Sequence, residues 1–573
     1  MASTDTLAAQ MRVLVFHGYL LGGTGSNVYN ANLAAALVRL GHTVELLSQD
    51  RAPERLPFVD AVGDWDSGEL RLRTLREPVR CTVYRPALPG GVLPVYVADR
   101  YEAVEARPFP QLTDAEVDAY VAANVAAVRE VVACARPEVA LANHEVMGPL
   151  ILRRALDDVP YAVKVHGSAL EYTVAPHPAR FLAPAREGIM GAAAVLVGSR
   201  HVAERLWATL AEPALPARTR LGPPGVDVAR FLPRDPAAAR AGLARLAGEL
   251  AEQAREAPAN GMPRVAPAAR RAEASDAAAS AGAEADEAAA PAEPPSSFDR
   301  DVGEAAAALA RLAATPDDDP LVAFVGKLIV SKGVDLLLAA WPLVLADQPR
   351  ARLAVVGFGG YRAALERLVA ALAAGDLDGA AALAEEGRAA EGGPPGRPLR
   401  HLRAFLDRLA GDGPLRERYL AAAAALPERV VFTGRLDHEE LADLLPACAA
   451  QVVPSTFPEA FGMVAAEAAA CGALPVCADH SGLAEVAGAL AAAVPAQARD
   501  WLAFPVGDDA VEAIARRLLA WLDAAPELRE RTRAALVETV RERWSWEGVA
   551  RGVIAAAQGS VETLPAPART SAR

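Results

Sequence analysis

Arg12-Val-Leu-Val-Phe16, Gly22-Gly-Thr-Gly-Ser26 and Thr43-Val-Glu-Leu-Leu47 read in order as a short buried strand, a glycine loop and a second strand. Between the loop and the second strand, apolar residues recur at helical spacing from about Asn27 to Leu40, and Gly41-His42 ends that helix. Strand, helix, strand is the unit of a parallel sheet with helices on both faces. Further strands are predicted at Val139–Ala142, Tyr161–Val165 and Ala194–Val197.

The same alternation restarts near Leu321. Strands are expected at Leu321–Val325, Ala351–Val356, Val430–Thr433, Ala450–Val453 and Leu474–Ala478, with helices such as Gly333–Leu345 and His438–Ala447 between them. At 573 residues the chain is too long for one core. The expectation is two Rossmann-like α/β halves. Apolar content of 52% with only 5% aromatics fits a helix-rich α/β protein built on Ala, Val and Leu.

A net charge of −14 argues against a general nucleic-acid binder and gives no support for an anionic-membrane anchor. Cys81, Cys134, Cys448, Cys471 and Cys477 form no C-x-x-C pair and read as reduced core thiols. No apolar run reaches the roughly 18 residues of a membrane span, and Met1 to Gln10 lacks the apolar stretch of a signal peptide. A soluble, cytoplasmic protein without a transmembrane segment is expected.

The chemistry concentrates in Phe457-Pro-Glu-Ala-Phe-Gly-Met-Val-Ala-Ala-Glu467-Ala-Ala-Ala-Cys-Gly472. Glu459 lies in a loop and Glu467 on the helix that follows; Phe461, Gly462, Met463 and Val464 open that helix and Gly472 stops it. Free N–H groups at a helix start favour an anion by roughly 0.3–1 kcal/mol per charge. Carboxylates on either side can accept hydrogen bonds from sugar hydroxyls. Glu467 sits among alanines on a helix that should be buried, so a partner for its carboxylate is expected. Lys327 and Lys332 follow the strand at Leu321–Val325, at the strand end where open α/β sheets bind ligands, and two cations there could neutralise a diphosphate.

The block resembles the Glu-x7-Glu signature of retaining glycosyltransferases, in particular family 4 with the GT-B fold. Pro223-Pro-Gly-Val-Asp-Val-Ala-Arg-Phe-Leu-Pro233, Phe324-Val-Gly-Lys-Leu-Ile-Val-Ser-Lys-Gly333, Val355-Val-Gly-Phe-Gly359, Val431-Phe-Thr-Gly-Arg435, Phe504-Pro-Val-Gly-Asp508 and Trp544-Ser-Trp546 are similar to further elements of that family. The resemblance implies an α/β protein of GT-B fold, with two Rossmann-like parallel-sheet domains facing a cleft. It implies that Glu467 takes the ribose hydroxyls of a nucleotide sugar and Glu459 hydroxyls of the sugar. Lys327 (where the family usually has Arg), Lys332, Arg435 and the Phe461–Val464 turn would hold the donor. His166, in Val165-His-Gly-Ser168, would lie at the cleft near the reacting carbon, where its imidazole could donate to either substrate. Gly22, Gly23 and Thr24 would approach acceptor and donor phosphate, and His144 is a weaker candidate for acceptor contact. His166, Lys327, Lys332 and Glu459 are the catalytic candidates.

The expected organisation is a flexible 1–10, an acceptor domain at 11–228 and a linker at 229–318 with a disordered Ala/Pro/Glu-rich middle. A nucleotide-sugar domain at 319–540 follows, with two to four surface helices inserted at about 361–428. A helix at 541–560 would cross back to the first domain, ahead of a flexible tail at 561–573. The implied reaction moves a hexose, from a donor expected to be UDP-linked, to an unidentified acceptor with retention of configuration. No cofactor and no metal are expected. Asp64-Trp-Asp66 and Asp317-Asp-Asp319 mimic a metal motif, but the first reads as a polar loop and the second precedes a strand. Gly22-Gly-Thr-Gly25 lacks the glycine spacing of a dinucleotide site, since position 28 is Val. The alternatives are an epimerase or a sugar phosphorylase on the same fold, or a non-catalytic nucleotide-sugar-binding protein.

Overall fold

The computed structural model describes residues 10–23, 25–66, 68–96, 105–256 and 300–567. The amino-terminal half is a nine-stranded sheet in the order Thr219–Leu221, Ala194–Val197, Tyr161–Val165, Val139–Asn143, Arg12–Phe16, Thr43–Leu47, Cys81–Arg85, Ala61–Asp66 and Glu69–Thr74. All neighbours are parallel except the last pair, an antiparallel edge hairpin. The central strands are mostly apolar and, Arg12 apart, buried along their length because helices cover both faces. The carboxyl-terminal half is a six-stranded, all-parallel sheet: Val430–Gly434, Arg352–Val356, Leu321–Val325, Ala450–Val453, Leu474–Ala478, Ala503–Phe504.

In each sheet the strand order reverses once. The reversal lies between Arg12–Phe16 and Val139–Asn143 in the first half, and between Leu321–Val325 and Ala450–Val453 in the second. A crevice opens beyond the carboxyl ends of such strand pairs, because their outgoing loops turn to opposite faces. His17 and His144 follow the first pair, and Gly326-Lys327 and Pro454-Ser455 follow the second.

Two crossings join the halves. One is the segment after Leu221, in which Val226 donates its N–H to Trp544 O at 2.6 Å and pairs with Ser545 as an isolated parallel bridge. The other is the helix Trp546–Ala557, which packs on the first sheet beside Gly25–Arg39 and buries Trp546, Val553 and Ile554 with that half's core. A Cβ at Gly225 would lie 2.6 Å from the Trp546 ring, so the two crossings meet without room for a side chain there.

Five features differ from the sequence reading. Residues 236–256 and 302–313 are not linker but an antiparallel pair of helices, whose Leu243, Leu246, Leu250, Leu309 and Leu312 join the second half's core. The expected disordered middle, within 257–299, lies outside the described residues, as does most of the expected flexible 1–10. The 361–428 region forms five helices, and Tyr361, Leu383, Phe405 and Tyr419 are fully or nearly fully buried, with the Tyr419 hydroxyl donating to Ala339 O at 2.9 Å. It is part of the core because each longer helix turns an apolar stripe inward. The tail is docked as far as it is described: Leu221 N–H donates to Pro565 O at 2.7 Å and Arg220 Nε to Val561 O at 2.6 Å. Asp64 and Asp66 lie on the strand Ala61–Asp66 rather than in a loop, with Asp64 paired to Arg85 at 2.7 Å. Of the cysteines, Cys134 is exposed and the other four are buried.

Candidate active site

Lys332 ends a single 3-10 turn, Val330–Lys332, and its ammonium forms an ion pair with Glu459 Oε1. Gly333 makes this approach possible. Its φ is +65°, and a Cβ there would fall 2.1 Å from Pro454 O. The Ser455 hydroxyl donates to the same Glu459 oxygen at 2.7 Å. Glu459 N–H donates to Ser481 Oγ at 2.9 Å, and His480 Nε2 donates to Ser455 O at 2.7 Å. Burial alone would raise the Glu459 carboxyl, but Lys332 and Ser455 outweigh it and hold it below the usual range. Glu459 is therefore an anchored carboxylate. Lys327 lies half-buried one turn earlier on the same loop. Glu391, from the 361–428 helices, accepts the N–H of Val330 at 2.7 Å and props that loop from behind.

The helix Met463–Ala470 starts at Gly462, whose φ of +110° and 2.5 Å clearance to Leu483 Cδ2 admit glycine alone. Gly462, Met463 and Val464 are half-buried at this start, where the first N–H groups have no partner within the helix. Phe461 is buried edge-on against Trp544, with ring centroids 5.4 Å apart, so its side chain anchors the turn. Glu467 is 2% exposed, one turn into the helix. Its partner is His438, whose Nε2 donates to Oε1 at 2.7 Å. Burial opposes the imidazolium, but Glu467 outweighs it and raises the His438 pKa. Arg435, at the end of Val430–Gly434, is bonded to Asp437 at 2.7 Å.

Facing this group is a polar cluster on the first half's strand ends. Asn143 Nδ2 donates to Phe16 O at 3.2 Å and to Asn30 Oδ1 at 2.8 Å, so its Oδ1 points at His166 Nε2, 2.8 Å away. The proton of His166 must therefore sit on Nε2. Burial, with His144, Lys164 and His17 nearby, pushes the His166 pKa well below its usual value. The imidazole is neutral and offers Nδ1 as an acceptor. The sequence reading expects it to donate to a substrate, but its one N–H already donates to Asn143 Oδ1. His144, with φ of +67°, is 1% exposed behind Tyr96 and His166, at ring distances of 4.3 and 4.8 Å. Gly22 and Gly23 are exposed, and Asn27 Nδ2 ties the loop through Gly22 O at 2.6 Å. Thr24 lies outside the described residues.

The two groups meet at Ala460. A Cβ on Gly167 would lie 3.7 Å from Ala460 Cβ, and one on Gly198 would lie 3.0 Å from Ala460 O. Glu485, from the second half, accepts Arg200 N–H at 2.8 Å and His201 N–H at 3.0 Å at the start of the first half's helix Arg200–Leu210. The structure thus gathers Lys332, Glu459 and the Gly462 turn on one wall, and sets the loop of His166 and Gly167 against that wall at Ala460. It seats His144 inside the other wall. Sequence reasoning missed Ser455, His480, Ser481, His438, Asn143 and Glu485. Asn143 ends the strand Val139–Asn143, Ser455 follows Ala450–Val453, and His480 and Ser481 follow Leu474–Ala478, so strand-end position was a usable signal for them; Glu485 carried none. Among the described residues no group of three His, Cys, Asp or Glu is placed to hold a metal, and no helix is long and apolar enough to cross a membrane.

Residues 24–225 match the family profile described as a glycosyl transferase 4-like domain, and residues 310–376 and 405–536 match the profile described as glycosyl transferases group 1. No curated protein matches the chain by sequence. Among solved structures, sucrose-phosphate synthase from Thermosynechococcus elongatus is similar at 18% identity and TM-score 0.51, covering 97% of this chain and 100% of its own. The catalytic domain of starch synthase IV from Arabidopsis thaliana, bound to ADP and acarbose, is similar at 13% identity and TM-score 0.51, with coverages of 97% and 100%. HepE from Anabaena in complex with UDP-glucose is similar at 14% identity and TM-score 0.50, again with coverages of 97% and 100%. At these identities the likeness is one of fold.

Proposed function

We propose, from the premise that this chain is a glycosyltransferase of the GT-B type, that it transfers a hexose from a UDP-sugar to an acceptor hydroxyl with retention of configuration and without a metal. The observation that carries this reading is the anchored Glu459: a carboxylate bonded to Lys332 and Ser455 beside a helix start is built to grip, not to attack. The donor diphosphate would lie against Lys327, Lys332 and the amides of Gly462, Met463 and Val464, with Arg435 at the rim. Glu459 would take hydroxyls of the sugar and Glu467 those of the ribose. The acceptor would enter over Gly22 and Gly23.

In the reaction, the acceptor oxygen bonds to the anomeric carbon on the face that the diphosphate leaves. The carbon–oxygen bond to phosphate breaks, and the acceptor's proton passes to the departing phosphate oxygen. The products are a glycoside and a nucleoside diphosphate. His166 would accept a sugar hydroxyl through Nδ1 and position the anomeric centre. Fixed cations lower the barrier because negative charge builds on the leaving group in a site that excludes water. Neutral His166 adds no competing cation on the opposite wall. The five free cysteines support action in the cytoplasm.

The test is turnover and thermal shift with UDP-, ADP- and GDP-glucose and their nucleoside diphosphates, followed by the anomeric configuration of the product. UDP should give the largest shift, and chelator should leave turnover unchanged. Lys332→Ala should lower kcat/KM about 100-fold, the order seen on losing one preorganised group at a developing anion. Wild-type turnover in that variant would sink the site assignment. Product formed without an acceptor would favour an epimerase instead.

A further inference from the structure

Glu467 is a buried carboxylate on a helix of alanines, so its orientation depends on what holds it. A charge-assisted bond to one oxygen restricts the rotation of a carboxylate and so biases how the other oxygen is presented. His438 supplies that bond at 2.7 Å, from the first turn of the helix His438–Leu444. The imidazole is itself seated. Phe231 packs on it with ring centroids 5.0 Å apart and planes tilted by 48°. Phe231 is 1% exposed and belongs to the segment that links the two halves. Arg230 and Arg234 of the same segment clasp the same helix through Glu439 at 2.6 Å and Asp443 at 2.5 Å. Asp437 caps the helix and pairs its N–H with Glu440, so the residue before His438 is held too.

We propose that His438, seated by Phe231, is the positioning residue of the nucleotide pocket: it holds Glu467 Oε1 so that the carboxylate meets the two ribose hydroxyls of a nucleoside diphosphate in one orientation. This rests on the reading of Glu467 as the ribose grip. His438 touches no substrate; it acts through Glu467. The consequence is selectivity for ribose over 2′-deoxyribose, since a misoriented carboxylate cannot receive both hydroxyls at once.

The experiment is calorimetric titration with UDP, ADP and GDP, and with the 2′-deoxy counterpart of whichever binds tightest. Wild type, Glu467→Gln, His438→Asn and His438→Gln are compared. Wild type should prefer the ribo form by about tenfold, as expected for a hydrogen bond to a charged group. Glu467→Gln should lose the preference. His438→Asn, too short to reach Oε1, should also lose it, while His438→Gln, whose amide can reach, should restore most of it. A preference lost in Glu467→Gln but kept in His438→Asn overturns the role of His438 and leaves the ribose reading standing. No preference in wild type, or one kept in Glu467→Gln, overturns both. If His438→Asn does not fold, His438→Ala replaces it. His438→Gln is decisive on either background, because a merely structural histidine would not pass ribose selectivity to an amide.

Discussion

Glu145 and Lys164 are the least comfortable residues of the first half. Glu145 is 0% exposed and follows His144 directly; burial pushes its carboxyl up to about 8. Lys164 is 2% exposed, donates to Gly222 O at 2.7 Å and lies over the Tyr29 ring; burial pulls its pKa down to about 7, against the pull of Glu145. The folded pKa of Glu145 is above its ordinary 4.5, so its contribution to stability is fully present below 4.5 and is lost as pH rises toward 8. Each unit of such a shift corresponds to about 1.4 kcal/mol. Glu145→Gln should therefore leave Tm near the wild-type value around pH 4.5 and raise it progressively toward pH 8. Thermal unfolding at the two ends of that window checks this, and an equal Tm difference at both would contradict it. The His166 proton follows the same logic of enclosure: it goes where Asn143 presents an oxygen, and the ring stays neutral because burial, with His144, Lys164 and His17 nearby, opposes its charge.

At the scale of elements, the contact between the helices Ser481–Ala493 and Arg200–Leu210 joins the two halves. Glu485 of the first accepts two N–H groups at the start of the second, where a carboxylate is favoured by the helix dipole. Hydrogen bonds to a charged group contribute about 1.5–3 kcal/mol. Glu485→Ala should shift the balance between closed and open halves by about tenfold or more, lowering kcat with little change in Tm. Small-angle scattering and steady-state kinetics together check this; unchanged kcat and dimensions would rule it out. The central strands were legible in the sequence, whereas Cys81–Arg85, Ala61–Asp66, Glu69–Thr74, Thr219–Leu221 and Ala503–Phe504, toward the sheet edges, were not. Leu321–Val325 and Val139–Ala142 are apolar runs because both faces of a parallel strand are covered. Asp64 and Asp66 misled because they stand on the edge hairpin, where polar side chains are tolerated. The helices Pro236–Glu256 and Val302–Ala313 misled because their alanine-rich surface hides a narrow leucine stripe.

For the whole molecule, that helix pair matters more than its composition suggests. It packs antiparallel, with Arg240 donating to Leu312 O at 3.0 Å and Arg300 bonded to Glu440. Replacing residues 258–298 by a short glycine-rich linker should keep Tm within a few degrees, since loop length enters closure entropy only weakly. Deleting 240–315 should instead lower Tm sharply or abolish soluble expression, because each buried leucine lost costs about 2–5 kcal/mol. Comparable melting of the two deletions would show that the pair is dispensable.

The sequence by itself determined the two parallel sheets, the strand ends where ligands gather, and the order Lys327, Lys332, Glu459, Glu467 along the chain. Those follow from local periodicity and from the turn chemistry of glycine, which act over a few residues. Only the tertiary structure decided who holds whom. His438 reaches Glu467 across 29 positions, Lys332 reaches Glu459 across 127, and Arg200 reaches Glu485 across 285. Such pairs are set by the order of strands in a sheet and by how two sheets face each other. A local pattern carries no record of that order, so the partner of a buried charge is visible only once the chain has folded.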